Sequence, residues 1–221
     1  MIRFIKNLPA KLSYTEKLLA LSAAFTLISD AFRFLYSNET EYFFYPWNLF
    51  LAALPLVFSR QLKKINKLNT KAVLLLMGWL LFFPNAPYLI TDLFHFQQRP
   101  PVPYWFDLLI VTSGAWTGTA LGFVSLRHTE KFLAKHLKKK YRLPVTVLLI
   151  ILCSYGIYLG RFLRFNSWDV FTRPKTIAHV TISHFIQPWQ HQQFWAFTFS
   201  FAALLMLMYF TVRKVPVTNA E

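Results

Sequence analysis

Six apolar stretches recur along this chain, at about residues 17–36, 43–59, 72–94, 104–126, 143–165 and 192–212. A helix that crosses the hydrocarbon of a bilayer needs roughly 17 to 25 apolar residues. Soluble domains do not carry such blocks in series. Together they use up most of the 221 residues. The expected fold is therefore all-α, a polytopic transmembrane helical bundle of about six spans, in one integral membrane domain over residues 1–221. The basic N-terminus followed by LLALSAAFTLIS resembles a signal peptide. Asp30 and Arg33 follow it without an A-x-A-like cleavage site, so it is expected to stay as the first helix.

Charge placement sets the orientation. The net charge is +15, and 18 of the 24 Lys and Arg lie in Arg3 to Lys17, Arg60 to Lys71, Arg127 to Arg142, and Arg213 with Lys214. These are alternate connections plus both tails. Positive residues mark the cytoplasmic side, so both termini are expected inside. The other side holds six basic residues and six acids: Asp30, Glu39, Glu41, Asp92, Asp107 and Asp169. The inner surplus suits contact with anionic lipid at the inner face. No groove-reading motif accompanies it, which excludes nucleic acid as the partner. The single cysteine, Cys153, can form neither an internal disulfide nor a cysteine-based metal site.

The third block carries the most distinctive stretch, WLLFFPNAPYLITDLFHF from Trp79 to Phe96. Pro84 and Pro87 interrupt it and are expected to free the carbonyls of Leu80 and Phe83. Asn85, Tyr88, Asp92 and His95 follow at helical spacing, on one face. Such a face is costly among lipid tails and is expected to look into protein or water. Broken helices of this kind line binding sites in membrane proteins, although Asn85 capping a plain proline kink gives the same pattern.

The other blocks read more simply. Asp30 and Arg33 are three apart and expected to pair with each other near a helix end. Pro46, Trp47 and Asn48 mark an interface, and Pro55 a kink. Gly114, Gly118 and Gly122 form a small-residue stripe on block four, and Gly156, Gly160 and Arg164 share a face on block five. Stripes of this kind admit a close backbone, so these two helices are expected to touch. Residues 127–142 have the spacing of a helix lying on the inner leaflet, with His128 and His136 at its surface. TIAHVTISHFIQPW, with His179, His184 and Trp189, is expected to form a short helix in the outer interface. Block six has no charge and is expected to be a lipid-facing support.

FPNAPYLITDLFHF, YWFDLLI and GIYLGRFLRFNSWDV resemble the hallmark segments of a bacterial multi-pass membrane family described only as a domain of unknown function. The likeness runs over roughly residues 72–175, and NAPY-x-x-TD-x-x-H is its most specific part. It implies a bacterial cytoplasmic membrane protein and supplies no activity. Its residues fall here on Asn85, Ala86, Pro87, Tyr88, Thr91, Asp92 and His95, then Asp107, then Arg161, Arg164, Asn166, Trp168 and Asp169.

Topology sends the end of block three, the start of block four and the end of block five to one side. They are expected to converge on an outward-facing polar pocket holding Asn85, Tyr88, Asp92, His95 and Asp107, with Arg161, Arg164, Asn166, Trp168 and Asp169 at its mouth. Paired arginines suit an anionic lipid or cell-envelope ligand. Several functions fit such a pocket. An enzyme would use Asp92 as base with His95 orienting it, though no standard hydrolase or phosphate-loop spacing occurs. A metal site would need Asp107 or His184 beside that pair. A small transporter would need a larger bundle, as a homodimer would give. A structural or assembly protein would use the same cluster only to fix helix packing. Reaction, substrate and cofactor stay open at this level.

Overall fold

The computed structural model describes residues 12–97 and 99–214, apart from the side chains of His95 and Lys214. Described residues form helices and no strands. The long elements are α1 (Tyr14–Ser37), α2 (Phe44–Leu62), α3 (Thr70–Phe82), α5 (Tyr104–Leu133), α6 (Lys139–Arg161) and α9 (Gln192–Lys214). Between them lie the one-turn α4 (Asn85–Tyr88), a 3-10 turn (Leu89–His95), the one-turn α7 (Asp169–Thr172), α8 (Pro174–Ile186) and a second 3-10 turn (Pro188–His191).

Local chemistry accounts for the helix starts. Ser13 and Glu16 form a reciprocal capping box at α1: Glu16 N–H donates to Ser13 Oγ at 3.3 Å and Ser13 N–H to Glu16 Oε2 at 2.7 Å. Asn69 caps α3 by accepting from Ala72 N–H at 2.9 Å. α1 closes on Asn38 in the left-handed region, φ 59°.

Five segments are long and apolar enough to cross a membrane: Tyr14–Ser37, Thr70–Phe94, Tyr104–Leu133, Lys139–Arg161 and Pro188–Arg213. α2 falls short because its first turns carry Tyr45, Trp47 and Asn48 and its last Arg60 and Gln61. It nevertheless runs antiparallel beside α1: Arg60 pairs with Glu16 at 3.2 Å at one end, and at the other the Arg33 guanidinium sits 5.0 Å over the ring of Tyr42, two residues before α2 begins.

α5 is the centre of the bundle. Inside its most apolar window 61% of residues are buried, against 22–33% in the other four segments, and α1, α2, α4 and the first 3-10 turn pack on it. α1 turns Leu18, Leu21, Phe25, Ile28, Phe32 and Leu35 outward, a helical stripe suited to lipid. α9 is the least buried segment, as expected of block six.

Three sequence expectations are corrected. First, the basic run 127–142 is not a separate surface helix. α5 and α6 extend into it and leave only a short turn, which Arg142 ties by donating to the Ala134 carbonyl at 2.7 Å. His128 therefore lies inside the bundle, its Nδ1 3.3 Å from Ser59 Oγ. Second, Arg33 does not take Asp30 as its partner. Its Nε donates to Asp107 Oδ1 at 2.7 Å, across to α5, where Asp107 is fully buried. Third, the two glycine stripes do not pack on each other. A Cβ on Gly114 would strike Tyr45, on Gly118 the Ala86 carbonyl, and on Gly156 the Pro84 ring. The stripe of α6 and most of that of α5 receive the broken segment between them, and α5 and α6 meet near the basic end, where Thr146 donates to Glu130 at 2.6 Å.

Candidate functional site

The proline break builds the site. Helical bonding would send the Ala86 N–H to the Phe82 carbonyl, but Ala86 donates to Phe83 at 3.2 Å instead. This satisfies Phe83, one of the two carbonyls expected to be freed, and orphans the turn before it. Asn85 Nδ2 fills in, donating to the Phe82 carbonyl at 3.0 Å. Ser167 Oγ donates to the Leu81 carbonyl at 3.2 Å and accepts from Asn85 Nδ2 at 2.8 Å. Asn85 thus repairs the break and does not cap a second helix. Unpaired backbone groups at this depth cost several kcal/mol each, which is why polar side chains gather here.

Beyond Tyr88 the chain winds as a 3-10 turn, and the single face predicted for Asn85, Tyr88, Asp92 and His95 is split. Asn85 and Tyr88 line a cavity of about 680 Å³. Asp92 points into protein and is 2% exposed. His95 ends the turn, and its side chain lies outside the described residues.

Arg161, the last residue of α6, joins the two parts. Its Nη2 donates to Asp92 Oδ1 at 2.7 Å and its Nε to Thr91 Oγ1 at 2.9 Å. Its guanidinium lies 4.7 Å from the centre of the Tyr88 ring and 5.7 Å from that of Phe94. Gly160 permits this, since a Cβ there would come within 3.3 Å of Tyr88. The helix ends at Arg161, so Arg164 is not on its face as block five implied. Arg164 sits in the left-handed region, φ 57°, where Phe165 N–H reaches back to the Leu159 carbonyl at 3.1 Å. It is exposed and lines the cavity. Among the described residues no carboxylate pairs with it.

Asn166 also lines the cavity. Trp168 lies just outside it, edge-on to Trp47 with ring centres 6.2 Å apart. Asp169 turns away from both cavity arginines. It accepts from Asn166 N–H at 2.8 Å and from Arg173 Nη2 at 2.6 Å. The Arg173 hydrogen bonds, with the Asn166 amide, hold its carboxyl well below the usual carboxylate range. Asp107, bound to Arg33, stands apart from the cavity. The structure thus brings Asn85, Tyr88, Arg161, Arg164 and Asn166 to one cavity, with Asp92 behind Arg161. It sets Asp107 and Asp169 in pairs of their own.

Sequence reasoning passed over Asn48, Thr91 and Ser167 as site residues. Asn48 and Ser167 line the cavity, and Thr91 steadies Arg161. Asn48 does carry a signal, a lone amide in an otherwise apolar stretch, but beside Pro46 and Trp47 it reads as an interface marker. Among the described residues no three His, Cys, Asp or Glu side chains cluster as metal ligands.

The remaining walls are apolar, among them Leu51, Leu81, Val170 and Ile177. Cationic, amide and apolar groups thus share one cavity, a lining that can meet both ends of an amphiphile. The chain belongs to the family described as a protein of unknown function (DUF1361), whose model matches residues 47–208. Neither a curated protein nor a solved structure matches it.

Proposed function

We propose that this member of the DUF1361 family binds the anionic group of a lipid or lipid-linked envelope molecule, in a cavity open to the outer side of the bacterial cytoplasmic membrane. The observation that carries the proposal is Arg164, an exposed cation without an acidic partner among the described residues, at a cavity already lined by Arg161, Asn85 and Asn166. Asp92 stands behind Arg161 and not among the lining residues, which favours binding over catalysis by an Asp92 base.

The proposal includes six crossings with both termini in the cytoplasm. α2 has 19 residues, about 28 Å at 1.5 Å per residue, close to the roughly 30 Å of a hydrocarbon core. The Arg60–Glu16 pair at one end of α1, and the Tyr42–Arg33 contact just before α2 at the other, support a full crossing. With α2 crossing, the basic surplus falls on one side, as the positive-inside rule requires. The cavity then falls on the other.

Native mass spectrometry of protein released from membranes tests the binding. Anionic lipid adducts should outnumber zwitterionic ones, and Arg164→Asn should weaken them by about 10- to 100-fold, the worth of one charged hydrogen bond. Asparagine tolerates the left-handed backbone of this position. Equal adducts in wild type and variant would refute the proposal. A Cys153→Ala background with single cysteines in residues 38–41 and 63–69 tests the topology, and labelling of both from one side would remove α2 as a crossing.

A further inference from the structure

Among the described residues the cavity is lined by two arginines but carries only one net positive charge. We infer that its ligand carries a single negative charge, as a phosphodiester or carboxylate does, and not the double charge of a phosphate monoester or the greater charge of a diphosphate. This rests on the reading of the cavity as an anion site.

The count follows from the contacts. Arg161 and Arg164 are the charged residues lining the cavity among the described residues. Arg161 is matched by Asp92, at 2.7 Å, and that carboxylate is 2% exposed with a partner already in hand. Its guanidinium edge serves Asp92 and Thr91, and its faces serve Tyr88 and Phe94. It therefore does not present an open two-pronged fork to a ligand. The next acid, Asp169, is matched by Arg173 at 2.6 Å, so that pair adds no net charge at the mouth. Among the described residues Arg164 alone is left to balance a ligand. A second negative charge would enter a partly apolar cavity uncompensated, and burying an unmatched charge is expensive. The nearby amides of Asn85 and Asn166 are neutral and can bond an oxyanion without adding charge.

The inference is tested by binding titrations of the detergent-solubilised full chain at pH 8. Four probes are compared: phosphatidylglycerol, phosphatidic acid, phosphatidylcholine and chain-free glycerophosphoglycerol. At that pH the monoester of phosphatidic acid, with a second pKa near 6 in simple monoesters, carries about two charges. Phosphatidylglycerol should bind about tenfold more tightly than phosphatidic acid. Asp92→Asn raises the net charge by one while its amide oxygen still accepts from Arg161. It should shift the ratio of the two toward phosphatidic acid by on the order of tenfold. Asn166→Lys adds the same charge at an exposed position and serves if the buried variant does not fold. Phosphatidic acid binding wild type as tightly as phosphatidylglycerol, or a ratio unmoved in a folded charge variant, would overturn the inference and leave the anion site standing. Phosphatidylcholine matching phosphatidylglycerol would instead remove the anion site itself. Glycerophosphoglycerol competing as well as the intact lipid would keep the charge rule and remove the lipid as its source.

Discussion

The pair of Asp92 and Arg161 allows a quantitative prediction. The carboxylate is 2% exposed and the guanidinium 11%, with 2.7 Å between them. Arg161→Gln leaves Asp92 with its charge buried and its strongest donor gone. Breaking a buried pair from one side costs about 3–5 kcal/mol. Asp92→Asn costs less, because Arg161 keeps Thr91 and the faces of two aromatic rings and lies nearer the cavity. About 1–2 kcal/mol is expected, the usual worth of one charged hydrogen bond. The double variant, Asp92→Asn with Arg161→Gln, buries no net charge and can re-form an amide-to-amide bond. It should recover at least about 2 kcal/mol relative to the sum of the singles, a coupling within the range for contacting residues. In a chain of this size each kcal/mol moves the unfolding midpoint by about 2–4 °C. Thermal unfolding in detergent should therefore place Arg161→Gln roughly 10 °C below wild type and the double variant above it. Arg164→Asn, exposed and unpaired, should stay within about 0.5 kcal/mol of wild type. An additive cycle, or an Arg161→Gln loss below about 1 kcal/mol, would refute the idea that this pair is buried and mutually required.

Two further outcomes are expected. Gly118→Ala would drive a methyl into the Ala86 carbonyl, which belongs to the backbone and cannot swing aside; an overpacking cost of about 1–3 kcal/mol should outweigh a helix-propensity gain of about 1 kcal/mol. In Gly78→Ala the new methyl meets the Phe58 ring at 3.1 Å, and a ring can tilt, so unfolding midpoints should show it near wild type and well above Gly118→Ala. His184, buried and stacked 4.2 Å from Phe194, has its pKa lowered from 6.5, chiefly by burial and then by His191. The unfolded chain thus binds its proton first on acidification. Stability should be full above about pH 6.5, fall as pH drops below that, and level off beneath the folded pKa. His184→Phe should flatten that part of a Tm-against-pH curve, and an unchanged slope would dismiss the assignment.

Much of the fold was legible because membrane crossing imposes a length and a composition on each helix. Blocks one, three, five and six reappear as long apolar segments within a few residues of their expected ends, and block four starts where expected but runs on to Leu133. The errors have physical causes. The basic run 127–142 reads as a separate inner-leaflet helix because charges end a hydropathy block, yet they do not end a helix. The glycine stripes showed that backbones approach closely but not which backbone, and the partner was the broken segment in the same chain. Arg33 and Asp30 are neighbours on a helix, and only the fold shows that Asp107 lies closer to the guanidinium. Local spacing reports which residues share a face; it does not report what that face meets.

The cavity can be traced to the two prolines. Pro84 and Pro87 remove two donors from the helix, the shift of Ala86 N–H to Phe83 takes the helical donor from Phe82, and Leu81 draws on a side chain as well, so the shortage spans this turn. Asn85 and Ser167 make it good. Ser167 lies after α6, so repairing the break draws the loop from Phe162 to Trp168 over it. That loop can fold back only if α6 stops at Arg161 and the chain reverses through a left-handed residue, which is Arg164. Asp169 then fastens the returning strand of chain through the Asn166 amide and Arg173. The exposed guanidinium of Arg164 thus has its place because of backbone hydrogen bonding more than a dozen helical turns away in sequence. A helix restored by Pro84→Ala and Pro87→Ala should supply Leu80 and Phe83 with backbone donors and let Ser167 go. The loop should then loosen, and the anion preference should weaken even though every charged residue is still present.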